Sequence, residues 1–449
     1  MNEIEKQVLE KITPSNEYKK NIIKITKEIN KKLEIEIKKR RLPVTVELVG
    51  SIAKDTYLKN DLDIDFFIKF PTKYLKEEIG KNALSIGKAI LTKTEESYAE
   101  HPYIRGYYKN FKVEVVPCYK IEKSSQKLSA VDRTPLHTKY IKKYLLDLQK
   151  PQVRLFKQFL KGIGCYGAEA EIEGFSGYLS EIMVLKYNSF KKLIENAQKW
   201  KGGEKLTLTK GDFPIFETPL TFIDPVDTNR NVASAVSKEK FDLFIKACKE
   251  YVKKPSINFF FPKKVKPWPL KKIKEEIKKQ KCQYVGIKFL KPGIISENLY
   301  PQVRKALRSI QDICIKYDFT IFDSIFYIDK EIYLIFKTKT EPLPNSKKHA
   351  GPPTRLKENV KDFIKKWEKD SRIVKKPYEK NKRFYVEIKR DFVDIKDFLN
   401  NQIKNLSLGK HIDPIIKRKF IVLKTEDLIN NNLRIFWTEY LDKKMSWER

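Results

Sequence analysis

Near the start of the chain apolar residues fall at Ile22, Ile25, Ile29 and Leu33, a three-and-four spacing that keeps one face of a helix dry. Thr13 can cap this helix and Pro14 suits its first turn, so one long amphipathic helix is expected. The pattern then switches to period two in VTVELV (44–49), a strand that Gly50-Ser51 breaks. A short helix is expected to begin in IAKDTYL, with further strands over DIDFFIKF (63–70) and FKVEVVPCY (111–119). Helical segments follow at 136–149 and 151–163, and the chain to about residue 250 reads as mostly helical.

Between 253 and 271, Pro255, Pro262, Pro267 and Pro269 stand among lysines. That composition breaks helices and favours extended chain, which places a domain boundary there. Beyond it YVGIKFL (284–290), FDSIFYI (322–328) and EIYLIFKT (331–338) read as strands, and 300–317, 357–372 and 394–404 as helices. The C-terminal half is therefore α+β. No internal repeat at solenoid spacing is present.

At 449 residues the chain exceeds what one core accommodates, and two to four compact units are expected. Its 41% hydrophobic and 12% aromatic content belongs to a folded protein rather than a disordered one. Lys and Arg number 93 against 58 Asp and Glu, a formal charge of +35, which points to a polyanionic partner. An uninterrupted span of about 18 apolar residues and a signal-peptide pattern are both missing, so nucleic acid in a cytoplasmic setting is favoured over a membrane. Cys118, Cys165, Cys248, Cys282 and Cys314 are scattered with no CxxC pair, which suggests neither a zinc site nor a disulfide framework.

The sharpest chemical signal is GSIAKDTYLKNDLDIDFF, where Asp63 and Asp65 flank Ile64 on an expected strand. Period-two geometry puts both carboxylates on one face and Ile64 in the core. Two such charges are costly unless a cation lies between them, and in phosphoryl transfer a divalent metal such as Mg2+ provides it. The upstream Gly50-Ser51 lets backbone approach a triphosphate, with the Ser51 hydroxyl as donor and Lys54 as added charge. Glu114, in KVEVVPCY on a neighbouring strand, is the best third carboxylate. Gly162, Gly164 and Gly167 are too close together for a regular helix and mark a turn around Tyr166.

These elements resemble the polymerase-beta-type nucleotidyltransferase superfamily. HPYIRGYY (101–108), RTPLHTKYI (133–141), VRLFKQFLKGIGCYGAE (153–169), GFSGYLSEIMVLKY (174–187), DPVDTNRNVASAVS (224–237) and LPNSKKHAGPP (343–353) extend the likeness, close to full length, to the archaeal class I CCA-adding enzymes. The resemblance implies an α+β fold: a polymerase-beta-like head at 1–145, a helical nucleotide-gripping neck at 146–255, and an α+β body and tail at 256–449 that hold tRNA. It implies two Mg2+ ions on Asp63, Asp65 and Glu114, the last being commonly Asp in relatives. Ser51, Lys54, Thr134, His137, Lys157 and Tyr166 would hold the triphosphate, and Arg230 would read the incoming base. Asp55 stands where relatives usually have Gly, and a carboxylate there would repel a triphosphate unless it points away. The expected activity is addition of C, C and A to the 3′ end of tRNA from CTP and ATP without a nucleic-acid template, by a homodimer. A related poly(A)-type RNA nucleotidyltransferase and a catalytically inactive RNA-binding protein are the alternatives. Tyr300, Arg304, Lys305, Arg308, Lys347, Lys348, His349 and Arg355 interleave aromatic and basic groups suited to phosphate and ribose. HAGPP (349–353) reads locally as a proline-stiffened loop, and the resemblance places it near the acceptor stem; recognition of the elbow and stem by shape would rest on extended positive surface.

Overall fold

The computed structural model describes every residue except Asn60 and Ala99. The chain forms two compact units, Met1–Lys264 joined by Lys444–Arg449, and Val265–Lys443.

The first unit opens with two helices rather than one. The first is α1 (Glu3–Ile12), where Asn2 and Glu5 exchange side-chain and backbone bonds in a capping box. Thr13 closes α1 by donating its N–H to the Leu9 carbonyl, and Ser15 caps α2 (Asn16–Lys39) by accepting the Tyr18 N–H. Pro14 explains the displaced cap, because its ring drives the preceding Thr13 into extended backbone. The apolar stripe holds as expected: Ile22, Ile25, Ile29 and Leu33 are at most 3% exposed, each worth roughly 2 kcal/mol of burial.

Next come β1 (Thr45–Val49), α3 (Gly50–Ala53), β2 (Ile64–Phe70), α4 (Lys76–Ile90), β3 (Thr92–Tyr98), β4 (Pro102–Tyr108) and β5 (Phe111–Tyr119). The sheet order is β1-β2-β5-β4-β3; β2 and β5 run parallel and the other pairs antiparallel. On β2, Ile64, Phe66, Ile68 and Phe70 are fully buried against α2 and α4. The alternate face buries Phe67 with Val49, Tyr103, Val116 and Cys118. Burial on both sides makes β2 a central strand and fixes its register, since a slip by one residue would put Asp65 into the aliphatic core.

Helices α5 (Arg133–Tyr144), α6 (Lys150–Gly162), α7 (Gly177–Tyr187) and α8 (Phe190–Ala197) build a second core. The stretch that follows is not helical. β6 (Glu204–Leu206), β7 (Leu220–Asp224) and β8 (Asp227–Asn231) form a three-stranded sheet before α9 (Lys238–Lys253). LTFID is rich in β-branched and aromatic residues and wholly buried, and Pro225 starts the turn into β8. Phe156, Phe159, Phe190 and Phe244 fill the core, and Trp447 returns from the C-terminus to stack on Phe259.

In the second unit α10 (Leu270–Lys279), β9 (Gln283–Leu290), α11 (Ser296–Lys316), β10 (Ile321–Ile328) and β11 (Glu331–Thr338) lead to β12 (Ser346–Pro353), α12 (Lys357–Glu368), β13 (Ile373–Lys380) and β14 (Arg383–Lys389). It closes with α13 (Ile395–Gln402), α14 (Asp413–Arg418), β15 (Ile421–Leu423), α15 (Thr425–Leu428) and α16 (Arg434–Asp442). An antiparallel sheet β10-β11-β9-β15 is covered by α11 on one face and by α10 and α16 on the other. HAGPP is not a loop: it ends β12, an edge strand of the sheet β12-β14-β13. An edge strand tolerates Pro352 and Pro353 because it needs ladder bonds on one side only, and the pairing is irregular between Ala350 and Pro353. Gly351 is needed there because a Cβ would lie 2.7 Å from the Phe363 ring. No helix among the described residues is long and apolar enough to cross a membrane.

Candidate active site

The carboxylates stand where β1, β2 and β5 run side by side. Asp65 pairs with Val49 on one side and Glu114 on the other, and Asp63 immediately precedes β2. Burial, then Glu114, then Asp63 push the Asp65 carboxyl up to about 7, against the pull of Lys54 and Lys112. Burial does most of this and the two neighbouring carboxylates add to it; such an acidic donor set suits a divalent cation. The three side chains are adjacent but do not converge. Glu114 accepts from Arg105 Nε at 2.6 Å, Asp63 from Lys112 Nζ at 3.2 Å, and no metal-ligating trio is closed among the described residues.

Gly50 sets how near the preceding turn comes to Asp65. Its φ of +72° is left-handed, and a Cβ on it would sit 2.0 Å from Asp65 Oδ2. Only glycine meets both demands.

In front of this edge lies a cleft of about 740 Å³. Gly50, Ser51, Lys54, Asp63 and Asp65 line one side, and Lys157, Lys161, Tyr166, Tyr178 and Glu181 the other. Lys157 is 2% exposed, and its three N–H groups meet the Thr56 carbonyl, the Thr56 hydroxyl and Glu181 Oε1 at 3.2, 3.2 and 3.3 Å. It reaches a ligand only by giving up one of these. Among the described residues Lys54 bonds Glu181 Oε2 at 2.6 Å, and it lines the cleft. Lys161 pairs with Asp61 and lies over the Tyr166 ring. Gly162 ends α6, and Gly164 and Gly167 take positive φ, which turns the chain so that Tyr166 faces the cleft.

Asp55 points away from the cleft. Its carboxylate accepts from Arg154 Nη2 at 2.6 Å and from Lys19 Nζ at 2.9 Å, so it ties α2 and α6 together. Thr134 and His137, on α5, and Arg230, on β8, stand outside the cleft lining. His137 Nε2 and Arg230 Nη1 both donate to Asp224 Oδ2, at 2.8 and 2.9 Å, and Tyr178 donates to Oδ1 at 3.2 Å. Tyr178 joins this cluster to the cleft, its ring stacking on His137 with centroids 3.8 Å apart. Burial pushes the His137 imidazole down, and because an ionised carboxylate only accepts, the neutral ring carries its proton on Nε2. Burial would raise Asp224, but His137, the Val226 N–H and Arg230 together hold it down to about 2.

Three family models cover most of the chain: a nucleotidyltransferase domain over residues 29–137, a tRNA nucleotidyltransferase second domain over 151–261, and a CCA-adding enzyme C-terminal domain over 281–425. The CCA-adding enzyme of Methanosarcina acetivorans is 33% identical over 94% of this chain and 93% of its own. Those of Picrophilus torridus and Methanocaldococcus jannaschii are each 36% identical, over 91% and 92% of this chain and 93% and 94% of their own. The chain belongs to the CCA-adding enzyme family. Among solved structures a Cid1 poly(U) polymerase aligns with 56% of this chain and 94% of its own at 16% identity and a TM-score of 0.45, a likeness too loose to bear on activity.

Asp63, Asp65 and Glu114 fall in the nucleotidyltransferase match, and Lys157, Tyr166 and Arg230 in the second-domain match. Sequence reasoning passed over three cleft or near-cleft residues that the fold makes prominent: Glu181, Tyr178 and Asp224. Glu181 did leave a signal, a single acid inside the apolar run YLSEIMVL. Asp224 left none, since its three side-chain partners come from α5, α7 and β8.

Proposed function

We propose that this protein rebuilds the CCA end of tRNA, adding C, C and A from CTP and ATP and releasing pyrophosphate. Membership of the CCA-adding enzyme family supports this reading, and the observation that carries it on the structural side is Asp63 and Asp65 lining a lysine-bearing cleft, with Glu114 paired beside Asp65 on the neighbouring strand but outside the lining. Two Mg2+ ions on that edge would assist attack of the tRNA 3′ hydroxyl on the α-phosphorus and steady the leaving oxygen. To hold them, Glu114 releases Arg105 and Asp63 releases Lys112; both partners are over 40% exposed and free to swing into solvent.

Ser51 and Lys54 meet the triphosphate from the sheet side, with Lys157 and Tyr166 opposite. Asp224 holds one arm of Arg230 and the imidazole of His137, which fixes the guanidinium fork that reads the base and leaves its remaining donors for cytosine or adenine. Thr134 stands three residues before His137 on α5. The cationic excess supplies extended positive surface for the acceptor stem and elbow, recognised by shape.

The test is incubation with tRNA lacking its CCA end, Mg2+, CTP and ATP, followed by sequencing of the 3′ ends. Ordered C, C and A support the reading. Untemplated A tails instead identify a general polymerase, and absence of any extension identifies an RNA-binding protein.

A further inference from the structure

Glu181 lies in α7 with its carboxylate wholly buried, bonded to three groups. Oε2 accepts from Lys54 Nζ at 2.6 Å, and Oε1 accepts from the Thr56 hydroxyl at 2.6 Å and from Lys157 Nζ at 3.3 Å. Lys54 and Thr56 follow α3, whereas Lys157 belongs to α6, so one carboxylate gathers groups from both sides of the cleft. Two ammonium groups and one carboxylate leave a net positive charge on the wall that would face a triphosphate. The neighbouring guanidinium of Arg154 contributes little to that excess because Asp55 neutralises it.

We propose that Glu181 is a positioning residue for nucleotide binding: its buried carboxylate keeps Lys54 and Lys157 side by side and charged on the cleft wall. This rests on the reading of the cleft as the nucleotide site. Without Glu181 the two ammonium groups would repel each other on a largely buried wall, where little water screens them, and one would shed its proton. Burial pushes Lys157 down to about 8, Glu181 opposes that, and Lys54 and Arg154 reinforce it. Other ionisable groups act nearby: Asp65 attracts Lys54, and the buried phenols of Tyr166 and Tyr178 are pushed up and stay neutral, with Glu181 acting on both in that direction.

The experiment is steady-state CMP addition to tRNA lacking CCA by wild type, Glu181→Gln and Glu181→Asp. At about pH 7, where wild-type Lys157 is still charged, the Gln variant raises KM for CTP by about tenfold or more with kcat within about threefold, and KM recovers toward wild type at about pH 5.5. The Asp variant keeps the carboxylate and therefore the wild-type pH profile, with a KM raised by about threefold at both pH values because its reach is shorter. A KM increase in the Gln variant that is equal at both pH values, or no increase, overturns the proposal. Where the Gln variant does not fold, the Asp variant decides: a raised KM with kcat held supports the role, and an unchanged KM overturns it. Wild type that adds no CMP overturns the reading of the cleft itself, whereas wild-type addition matched by the Gln variant overturns only the role of Glu181.

Discussion

Gly50→Ala separates the cost of folding from the cost of function. The new Cβ meets two penalties. At φ +72° an alanine pays about 1–2 kcal/mol for left-handed backbone. The Cβ would also stand 2.0 Å from Asp65 Oδ2, where contacts under 3.0 Å essentially do not occur, so the carboxylate must retreat by about 1 Å. That retreat is cheap for stability, because only a side-chain end moves, and Tm should drop by no more than about 2–8 °C. For catalysis it is expensive, since about 1 Å of misplacement at a reacting centre costs on the order of a hundredfold. The assay is single-turnover CMP addition at saturating CTP and tRNA, alongside calorimetric unfolding and tRNA binding. The expected result is kcat down by about a hundredfold with tRNA affinity unchanged. A variant that is folded and keeps more than about half of wild-type turnover would refute the placement of Asp65 at the metal edge.

Asp55→Ala removes the partner of Arg154, which is 2% exposed, and should cost about 1–2 kcal/mol after allowance for the half-exposed position of Asp55. Asp55→Gly should cost about 1 kcal/mol less, because φ there is +52° and glycine relieves the strain; equal losses in urea unfolding would count against this. Asp224 has its carboxyl lowered from 3.8 to about 2, so its contribution is present above pH 4 and lost as pH falls from there toward 2. That contribution is about 2 kcal/mol, and Asp224→Asn should flatten the same stretch of the stability curve; an unchanged curve would remove the argument. Affinity for tRNA should fall by at least about a hundredfold between about 50 and 200 mM salt as phosphate counterions are displaced. A flat response in a filter-binding titration would mean that the +35 charge serves another end.

The strands that carry the carboxylates were legible because β-branched and aromatic residues dominate them, and β5 matches its expected bounds of 111–119. Local pattern failed where identical residues serve opposite ends of an element. Thr13 followed by Pro14 reads as a helix start, yet Thr13 closes α1 and Ser15 opens α2. The β6–β8 sheet was hidden because its strands are short and one face is not distinguished from the other: every residue of β7 is buried. HAGPP became an edge strand because proline is forbidden only where a ladder bond is required, and sequence does not say which strand will be an edge.

The sequence by itself determined the chemical types at the site: a DxD pair after a Gly-Ser turn, a glycine-marked bend at Tyr166, and a cationic excess suited to RNA. Those are local properties, fixed by backbone geometry within a few residues or by composition. Only the tertiary structure decided which charges meet. Asp65 and Glu114 are 49 positions apart yet become neighbours through parallel pairing of β2 and β5. Lys54, Lys157 and Glu181 come together from three separate elements, and Asp55 is drawn off the cleft by Arg154 and Lys19. The physical reason is that Coulomb and hydrogen-bond energies depend on separation in space and on burial, and neither follows from separation along the chain.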